Sequence, residues 1–187
     1  MIETSYLTNQ FLIAMPDFDH PDFFQTVIYI CQHNQEGAMG IMINHPLEID
    51  LGVVFQNMDI ESHDLLINNT TVFEGGLVEP ERGFVIHQSD QKWDVMMNIN
   101  NDFSLTTSRD IVNAMADGTG PKNALIALGY CGWGAGQLEE ELANNIWLTT
   151  PANKNVIFDT PPAKRWHAAA ASIGIDINLL STEVGHS

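Results

Sequence analysis

The segment most typical of an enzyme is an apolar run that leads to Cys131. Residues 124–134 read Ala-Leu-Ile-Ala-Leu-Gly-Tyr-Cys-Gly-Trp-Gly, in which a predicted buried strand leads to a cysteine that precedes a predicted helix from about residue 135. This order resembles a nucleophile elbow, in which a sharp turn exposes the nucleophile and a helix N-terminus lowers the pKa of a thiol. The elbow needs small residues on both sides, a condition that Gly129 meets and Trp133 does not. We therefore favour the alternative, in which Cys131 is a small apolar residue packed under a glycine-rich turn.

Residues 106–110 could form a site for an anion or a substrate. Their sequence, Thr-Thr-Ser-Arg-Asp, places hydroxyls, a cation and a carboxylate close together. The spacing of Thr107 and Asp110 also fits a capping box at the start of a helix, which we favour as their main role. Arg109 could clamp the carboxylate of a ligand or pair with a glutamate of the chain itself, and we favour the internal pair.

The acidic, histidine and glycine residues carry weaker signals. Residues 137–141 read Gln-Leu-Glu-Glu-Glu, and helical geometry spreads these carboxylates into a solvated face from which at most one points into a cleft. The seven histidines and two cysteines show no spacing typical of zinc ligands, so we predict no bound metal. The glycines at 75–76 and 132–136 match neither a P-loop nor a dinucleotide fingerprint, and we predict no cofactor.

The charge of the chain excludes some classes of partner. The formal charge is −17, and residues 1–81 contain thirteen carboxylates and neither lysine nor arginine. Because nucleic-acid affinity depends on basic side chains that displace counterions, we expect no direct binding of DNA or RNA. The same repulsion disfavours anionic lipid surfaces, and no apolar stretch is long enough to span a membrane. A basic protein partner, or a cationic or neutral small ligand, remains open.

The pattern of apolar residues and turn residues predicts an α+β fold. Strands crowd the first half, strands and helices alternate in the second, and neither a linker nor a repeat divides residues 1–187, so we predict a single domain. The helix at 107–118 begins at Thr107, and the last helix, at 160–174, is capped by Thr160 with Pro161 in its first position. Strands are predicted at 11–15, 26–32, 38–44, 71–74, 83–88, 95–99, 103–106, 123–129 and 146–149, with further helices at 50–58 and 135–144.

The motifs as a set resemble the bacterial YqgE/AlgH family over nearly the whole chain. The resemblance implies a single compact α+β domain with a bifurcated sheet, partly closed into a small barrel and surrounded by helices. It implies no reaction, because the family is known as uncharacterised, with one branch named for a proposed role in regulating alginate production. The motifs are Phe-Leu-Ile-Ala-Met-Pro at 11–16, Tyr-Ile-Cys-Gln-His-Asn at 29–34, Gly-Ala-Met-Gly-Ile-Met-Ile-Asn at 37–44, Gly-Gly at 75–76, Arg-Gly-Phe at 82–84, Thr-Thr-Ser-Arg-Asp at 106–110, Ala-Leu-Gly-Tyr at 127–130, Gly-Trp at 132–133, Gly-Gln-Leu-Glu at 136–139, Trp-Leu-Thr at 147–149 and Gly-His at 185–186.

These considerations lead to a prediction of function and of the residues that carry it. We predict a non-catalytic cytoplasmic regulatory protein that binds a protein partner or a small ligand and affects transcription only indirectly. The alternative is a small hydrolase or transferase with a polar site near residues 107–110 and 132–139. The cytoplasm is favoured because the N-terminus has no signal-peptide pattern and the cysteines suit reduced thiols. The candidate functional surface contains His33, Asn34, Asn44, Arg82, Thr107, Ser108, Arg109, Gln137 and Glu139.

Overall fold

The computed structural model describes residues 6–180, in which the chain divides into two compact units. Within that range, the first unit contains residues 6–44 and 131–180, and the second contains residues 45–130. Both contain strands and helices, so the predicted mixed α+β class is confirmed. The grouping of residues 1–187 into a single domain stays a prediction, and each unit is described by itself. The Gly-His motif at 185–186 lies outside the described residues.

An antiparallel sheet forms the centre of the first unit. Apart from the segment at 131–134, its strands are apolar runs predicted from the sequence. The strands at 27–34 and 37–42 form a hairpin, and Gly37, directly after its turn, has a φ of 138°. A side chain would not fit there, because a Cβ would lie 2.2 Å from the carbonyl oxygen of Trp133. The strand order is β10-β1-β2-β3-β9, comprising β1 (Gln10–Ala14), β2 (Val27–Asn34), β3 (Gly37–Met42), the last four residues of β9 (Ala124–Gly134) and β10 (Trp147–Pro151).

Short helices cover the remainder of the first unit. The last helix begins later than predicted, because Pro161 is extended with a ψ of 138° and residues 162–164 form only a 3-10 turn. The predicted cap at Thr160 is therefore wrong. The helices are α4 (Gln137–Ala143) and α5 (Arg165–Ala171), with a π-helical turn at Asn155–Asp159 and 3-10 turns at Pro21–Phe23, Pro162–Lys164 and Ile177–Leu180.

Two side chains at the start of α5 join it to distant backbone. The Arg165 guanidinium is buried and donates to the carbonyl oxygens of Thr160, at 2.9 Å, and of Ile43. The indole of Trp166 donates to the carbonyl of Ala14 at 2.9 Å. Burial lowers the pKa of Arg165 to about 10, which still leaves it charged at neutral pH. These bonds satisfy carbonyls that would otherwise be buried without a partner.

The second unit packs helices on a branched sheet. Strand β9 pairs in parallel with one strand and antiparallel with another, and the strands predicted at 95–99 and 103–106 are present and pair with each other antiparallel. The unit contains β4 (Pro46–Asp50), β5 (Thr71–Glu74), β6 (Val78–Gln88), β7 (Met96–Asn98), β8 (Phe103–Thr106) and the first seven residues of β9, with α1 (Leu51–Asn57), α2 (Leu65–Asn68) and α3 (Arg109–Asp117).

Strand β9 corrects the prediction of a nucleophile elbow. The predicted strand ends at Gly129, but the extended chain continues to Gly134, so Cys131 lies within a strand and is buried. It pairs with Gly40 of β3. Because Cys131 lies inside the strand and not at the strand-to-helix turn after Gly134, its thiol has the packing role that we favoured.

Gly129 allows β9 to pass close to the turn at residues 75–76. Its φ is 81°, and a Cβ there would lie 2.4 Å from the carbonyl oxygen of Gly76. A Cβ at Gly75 would in turn lie 2.3 Å from the carbonyl oxygen of Gly129. The two backbone segments therefore touch without intervening side chains, so β5 and β6 can both pair with β9.

None of the helices in residues 6–180 combines the length and hydropathy that a bilayer-crossing helix requires.

Each unit has its own buried core. In the first unit, Leu12, Ile28 and Met42 pack with Trp147 and with Leu138 of α4. In the second, the cluster contains Leu51, Phe55, Val72, Val85, Ile111, Val112, Ala116 and Ile126. Its α1 and α3 members show the i, i+4 spacing of amphipathic helices.

We expect Arg165→Met to destabilise the protein by about 2 kcal/mol, because two carbonyls lose a charged donor. Urea unfolding followed by circular dichroism measures this change. The neighbouring exposed cation supplies a control, since Lys164→Met should change the free energy of unfolding by less than about 0.5 kcal/mol. Equal effects of the two substitutions would show that the Arg165 contacts do not stabilise the fold.

We expect Gly129→Ala to cost about 3 kcal/mol or more, because a left-handed backbone and a clash with the Gly76 carbonyl add together. The control is Gly118→Ala, since Gly118 has a similar φ of 85° but open space around its Cβ position. That variant should lose about 1 kcal/mol. Thermal unfolding of both variants tests the difference, and a loss at Gly129 no larger than at Gly118 would disprove the close-approach argument.

Candidate ligand-binding site

Four of the candidate residues line one cavity of the second unit. Arg82, Thr107, Ser108 and Arg109 border a partly open space of about 370 Å³ between α1, the start of α3 and the sheet. We call it the α1–α3 cavity. Its volume lies within the range usual for small-molecule sites. The sequence motifs at 82–84 and 106–110 thus come together in the fold.

The interior of the α1–α3 cavity is apolar. Side chains from β6 and β9 form its floor, and side chains from α1 and α3 form its walls. Polar groups come from β6 and from the ends of α1 and α3, where Asn57 and Glu81 join the four candidates. The apolar lining residues include Val54, Met58, Val85, Val112, Ile126 and Leu128.

Arg109 connects the two helices that border the cavity. It is the first residue of α3, and its guanidinium donates to the carbonyl oxygen of Met58, just beyond the end of α1, at 2.5 Å. The expected partner was a glutamate, and that prediction is wrong within residues 6–180, where Arg109 makes no ion pair. Because a carbonyl oxygen carries no net charge, this hydrogen bond does not neutralise the guanidinium. The exposed guanidinium therefore keeps its charge and most of its five N–H donors for another acceptor.

Arg82 lies in β6, on the sheet side of the cavity. Its guanidinium is 3.5 Å from a carboxylate oxygen of Glu79 and 5.3 Å from the centre of the Phe84 ring. Both charged side chains are about half exposed, at 51% and 50%. An ion pair as exposed as this one contributes little energy, so it leaves Arg82 free to rearrange toward a ligand.

Ser108 and Asp110 have a structural role different from the predicted capping box. The helix begins at Arg109, and its N-cap is Ser108, one residue after the expected cap at Thr107. The Ser108 hydroxyl donates to Asp110 at 2.5 Å and accepts from the backbone N–H of Val95 at 3.0 Å. These bonds tie the loop before β7 to the first turn of α3, and they already use the serine hydroxyl.

The Asp110 carboxylate is likewise occupied by hydrogen bonds. It accepts from the backbone N–H groups of Asp94 and Ile111, each at 2.9 Å. Partial burial raises its pKa, but these bonds and the bond from Ser108 outweigh that effect and lower the pKa of Asp110 below its ordinary value. The N-terminus of α3 thus already has an anion of its own.

A buried pair lies at the cavity, where Thr106 is one of the lining residues. The Nδ1 of His87 donates to the carbonyl of Gln88 at 2.8 Å, so its Nε2 accepts from the Thr106 hydroxyl at 2.7 Å. This is the order of bonds in a nucleophile and base pair. Both residues have 0% exposure, however, so a substrate could not reach the hydroxyl. Burial is also the main cause that lowers the pKa of His87.

The other five candidates lie in the first unit, where three of them hold turns. Asn34 accepts from the backbone N–H of Glu36 at 2.8 Å. Asn44 accepts from Val27 N–H at 2.9 Å and donates to the Gln25 carbonyl at 2.8 Å. The side chain of Gln137 accepts from Gly134 N–H at 2.9 Å. Local backbone geometry therefore accounts for these three residue types.

His33 and Glu139 meet inside the first unit. The Nδ1 of His33 accepts from Leu7 N–H at 2.9 Å, so the Nε2 of the neutral ring carries the proton. That Nε2 lies 3.3 Å from a carboxylate oxygen of Glu139, without hydrogen-bond alignment. The His33 side chain is only 1% exposed, so His33 anchors residues 7 and 8 on β2 and offers a substrate no surface, whereas the Glu139 side chain is 36% exposed.

The sequence patterns did not predict the partners of Glu141 or two of the polar residues that line the cavity. One oxygen of Glu141 accepts from the indoles of Trp133 and Trp147, at 3.0 and 2.9 Å, which corrects the prediction of a solvated acidic face. The position of Asn57 and Glu81 at the cavity was also missed. Trp133, Gln137 and Glu141 follow one another at intervals of four residues, which gave some signal for a contact among them. Nothing in the chain order placed Asn57 at the same cavity as Arg109.

Residues 6–180 contain no group of three or more His, Cys, Asp or Glu side chains placed to share a metal ion.

Comparisons with known proteins agree in one family. A sequence model described as AlgH-like matches residues 11–178. The chain is 52% identical over 187 residues to a UPF0301 protein of Thioalkalivibrio sulfidiphilus, covering 100% of both chains, and 50% identical to one of Nitrosococcus oceani, covering 97% of both. These names state no ligand or reaction.

Solved structures extend the likeness to the fold. The solution structure of the AlgH protein from Pseudomonas aeruginosa matches with a TM-score of 0.80 and 42% identity, covering 100% of both chains. The crystal structure of a protein from Corynebacterium diphtheriae matches with a TM-score of 0.72 over 97% of this chain and 95% of its own. At 18% identity, the second match shows the fold alone.

We expect the stability of the protein to fall as the pH is lowered from about 6.5, because the unfolded histidine binds a proton near that pH and the buried His87 does not. The loss continues down to the lowered pKa of the folded state and is absent above about pH 7. Urea unfolding at several pH values measures it. His87→Gln should flatten the pH dependence even where it lowers stability, and identical slopes in the two proteins would contradict the assignment.

Proposed function

The chain belongs to the AlgH-like family, and from this premise we propose that it is a non-catalytic binding protein that holds a small ligand in the α1–α3 cavity. The resemblance read from the sequence motifs is thereby confirmed. The names of the relatives assign no activity, so the proposal rests on the geometry of this chain.

One observation carries the proposal: the candidate polar residues of the second unit converge on an apolar cavity of about 370 Å³. Apolar walls with a few convergent polar groups are the common form of a small-molecule site. Burying the apolar part of a ligand supplies most of the affinity, and the polar groups fix its orientation. The exposed positions of Arg82 and Arg109 leave both side chains accessible from solvent.

The hydrogen bonds around the cavity favour binding over catalysis. The Ser108 hydroxyl already bridges Val95 and Asp110, and the Thr106 hydroxyl is fully buried against His87. An activated nucleophile must be reachable by substrate and positioned by a free base. The hydrolase or transferase alternative therefore has no supporting observation among the groups that line the cavity.

A regulatory role follows from the position of the cavity. Its lining contains residues of α1 and of α3, so an occupant restrains both helices through the same contacts. A partner that recognises the surface of either helix would respond to the ligand, which is the form of coupling that regulation requires. We place this activity in the cytoplasm and regard any effect on transcription as indirect, in keeping with the excess of acidic residues.

Octan-1-ol, a neutral apolar probe, tests the proposed function. Titrated into ¹⁵N-labelled protein, it should shift the backbone amide signals of α1 and α3 in a saturable manner. Val54→Phe should abolish this response, because Val54 lines the cavity and a phenyl ring would fill it. The matched control is Val53→Phe on the same helix, since Val53 does not line the cavity.

The outcomes separate clearly. Saturable shifts in the wild type and in Val53→Phe, with none in Val54→Phe, support binding in the cavity. A wild-type protein without saturable shifts, or an unchanged response in Val54→Phe, disproves it. The ester p-nitrophenyl hexanoate should compete with octan-1-ol without faster hydrolysis than in buffer, and a rate that Val54→Phe reduces would restore the enzyme alternative.

A further inference from the structure

We propose that the natural ligand of the α1–α3 cavity is a small monoanion, a carboxylate on a compact apolar body, which Arg109 recognises with help from Arg82. The inference rests on the proposed function and adds the chemical class of the ligand. It differs from the expectation drawn from the total charge, which favoured a cationic or neutral ligand.

The distribution of arginine supports an anion. The chain has only three arginines against 24 carboxylates, and Arg82 and Arg109 line the same cavity. The third, Arg165, is buried in the first unit with carbonyl partners. Charges more than about 10 Å away are largely screened at ordinary ionic strength, so the groups at the cavity determine its selectivity more than the total of −17 does.

The donors around Arg109 suit a carboxylate. Its guanidinium has five N–H groups in a planar fork, and one of them is bonded to Met58. The Asn57 amide and the Thr107 hydroxyl also line the cavity, and within residues 6–180 neither has a side-chain hydrogen bond. An anion in the cavity can therefore accept hydrogen bonds from the charged Arg109 and from these two neutral groups. It displaces no carboxylate from Arg109.

The acidic residues near the cavity limit the charge of the ligand. Glu81 lines it, and Arg82 is paired with Glu79 outside the lining, so Arg109 is the cavity cation that no carboxylate pairs with among residues 6–180, which suits a monoanion better than a phosphate dianion. Asp110 does not line the cavity, and its oxygens are already held by Ser108, Asp94 and Ile111. Neither Glu81 nor Asp110 provides a set of ligands that could surround a cation.

A cationic ligand fits the cavity less well. Binding sites for organic ammonium groups commonly use aromatic faces, and the lining residues include no aromatic side chain. Glu81 would be the single anionic contact, beside two arginines that repel a cation. The apolar floor is compatible with a ligand of either charge. The charged residues that line the cavity therefore decide which ligand charge is preferred.

Three probes of equal chain length test the inference: octanoate, octan-1-ol and octylammonium. In low salt, octanoate should bind wild-type protein about tenfold more tightly than octan-1-ol, a difference of about 1.4 kcal/mol, and octylammonium should bind most weakly. Added salt should reduce this preference, because the arginines are exposed. The amide signals of α1 and α3 report the site of binding.

Arg109→Gln removes the charge and keeps an amide donor for the Met58 carbonyl. In this variant octanoate should bind no more tightly than octan-1-ol, so the preference for the anion is lost. The control is Lys122→Gln, which removes an exposed cation of the same unit outside the cavity and should keep the preference. If Arg109→Gln fails to fold, Arg82→Gln provides the second test and should weaken octanoate binding selectively.

The outcomes distinguish this inference from the proposed function. Binding of octan-1-ol at the cavity with no preference for octanoate, or with tighter binding of octylammonium, overturns the inferred anion and leaves the binding function standing. Absence of binding by all three probes overturns both. A preference for octanoate that persists in both arginine variants would place the anion at another group and overturn the inference.

Discussion

The contact between β9 and the turn at residues 75–76 is the constraint on which the second unit depends. A Cβ at either Gly75 or Gly129 would penetrate the opposing carbonyl oxygen, at 2.3 and 2.4 Å, so two glycines are required at one crossing. Because of this crossing, β9 can pair with both β5, in parallel, and β6, in antiparallel orientation. Ile126 and Leu128 of β9 and Val85 of β6 then form the floor of the α1–α3 cavity. The position of a few backbone atoms thus determines where a ligand could be held.

Sequence patterns predicted most strands because apolar runs and turn residues are local signals. The predicted bounds at 71–74 and 103–106 agree with Thr71–Glu74 and Phe103–Thr106. Strand β4 was missed because Pro46 suggested a break, although proline is compatible with the first residue of a strand. The end of β9 was placed at Gly129 because glycine usually marks a turn, but here a left-handed glycine continues the strand. That choice depends on the backbone of Gly76, which is 53 residues away in the chain and so lies outside any local pattern.

The candidate site was predictable only in part, for a related reason. The motifs at 82–84 and 106–110 identified Arg82, Thr107, Ser108 and Arg109, and these converge on the cavity. The apolar floor was not identified, because its residues have the same pattern as any buried core. In the first unit, Asn34, Asn44 and Gln137 proved to hold turns, which shows that backbone geometry alone can account for a polar motif. Charge summed over the whole chain does not describe one cavity, because screening makes the neighbouring groups decisive.

The division of the chain into units has a consequence for biosynthesis. Residues 45–130 are contiguous, so the second unit leaves the ribosome complete, while the first unit still lacks residues 131–180. Until those residues are made, the N-terminal sheet has two open edges, because β1 later pairs with β10 and β3 later pairs with the end of β9. Unpaired strand edges are templates for association with other chains. The nascent protein is therefore most exposed to aggregation during synthesis of its last third, when chaperone protection of residues 10–42 matters most.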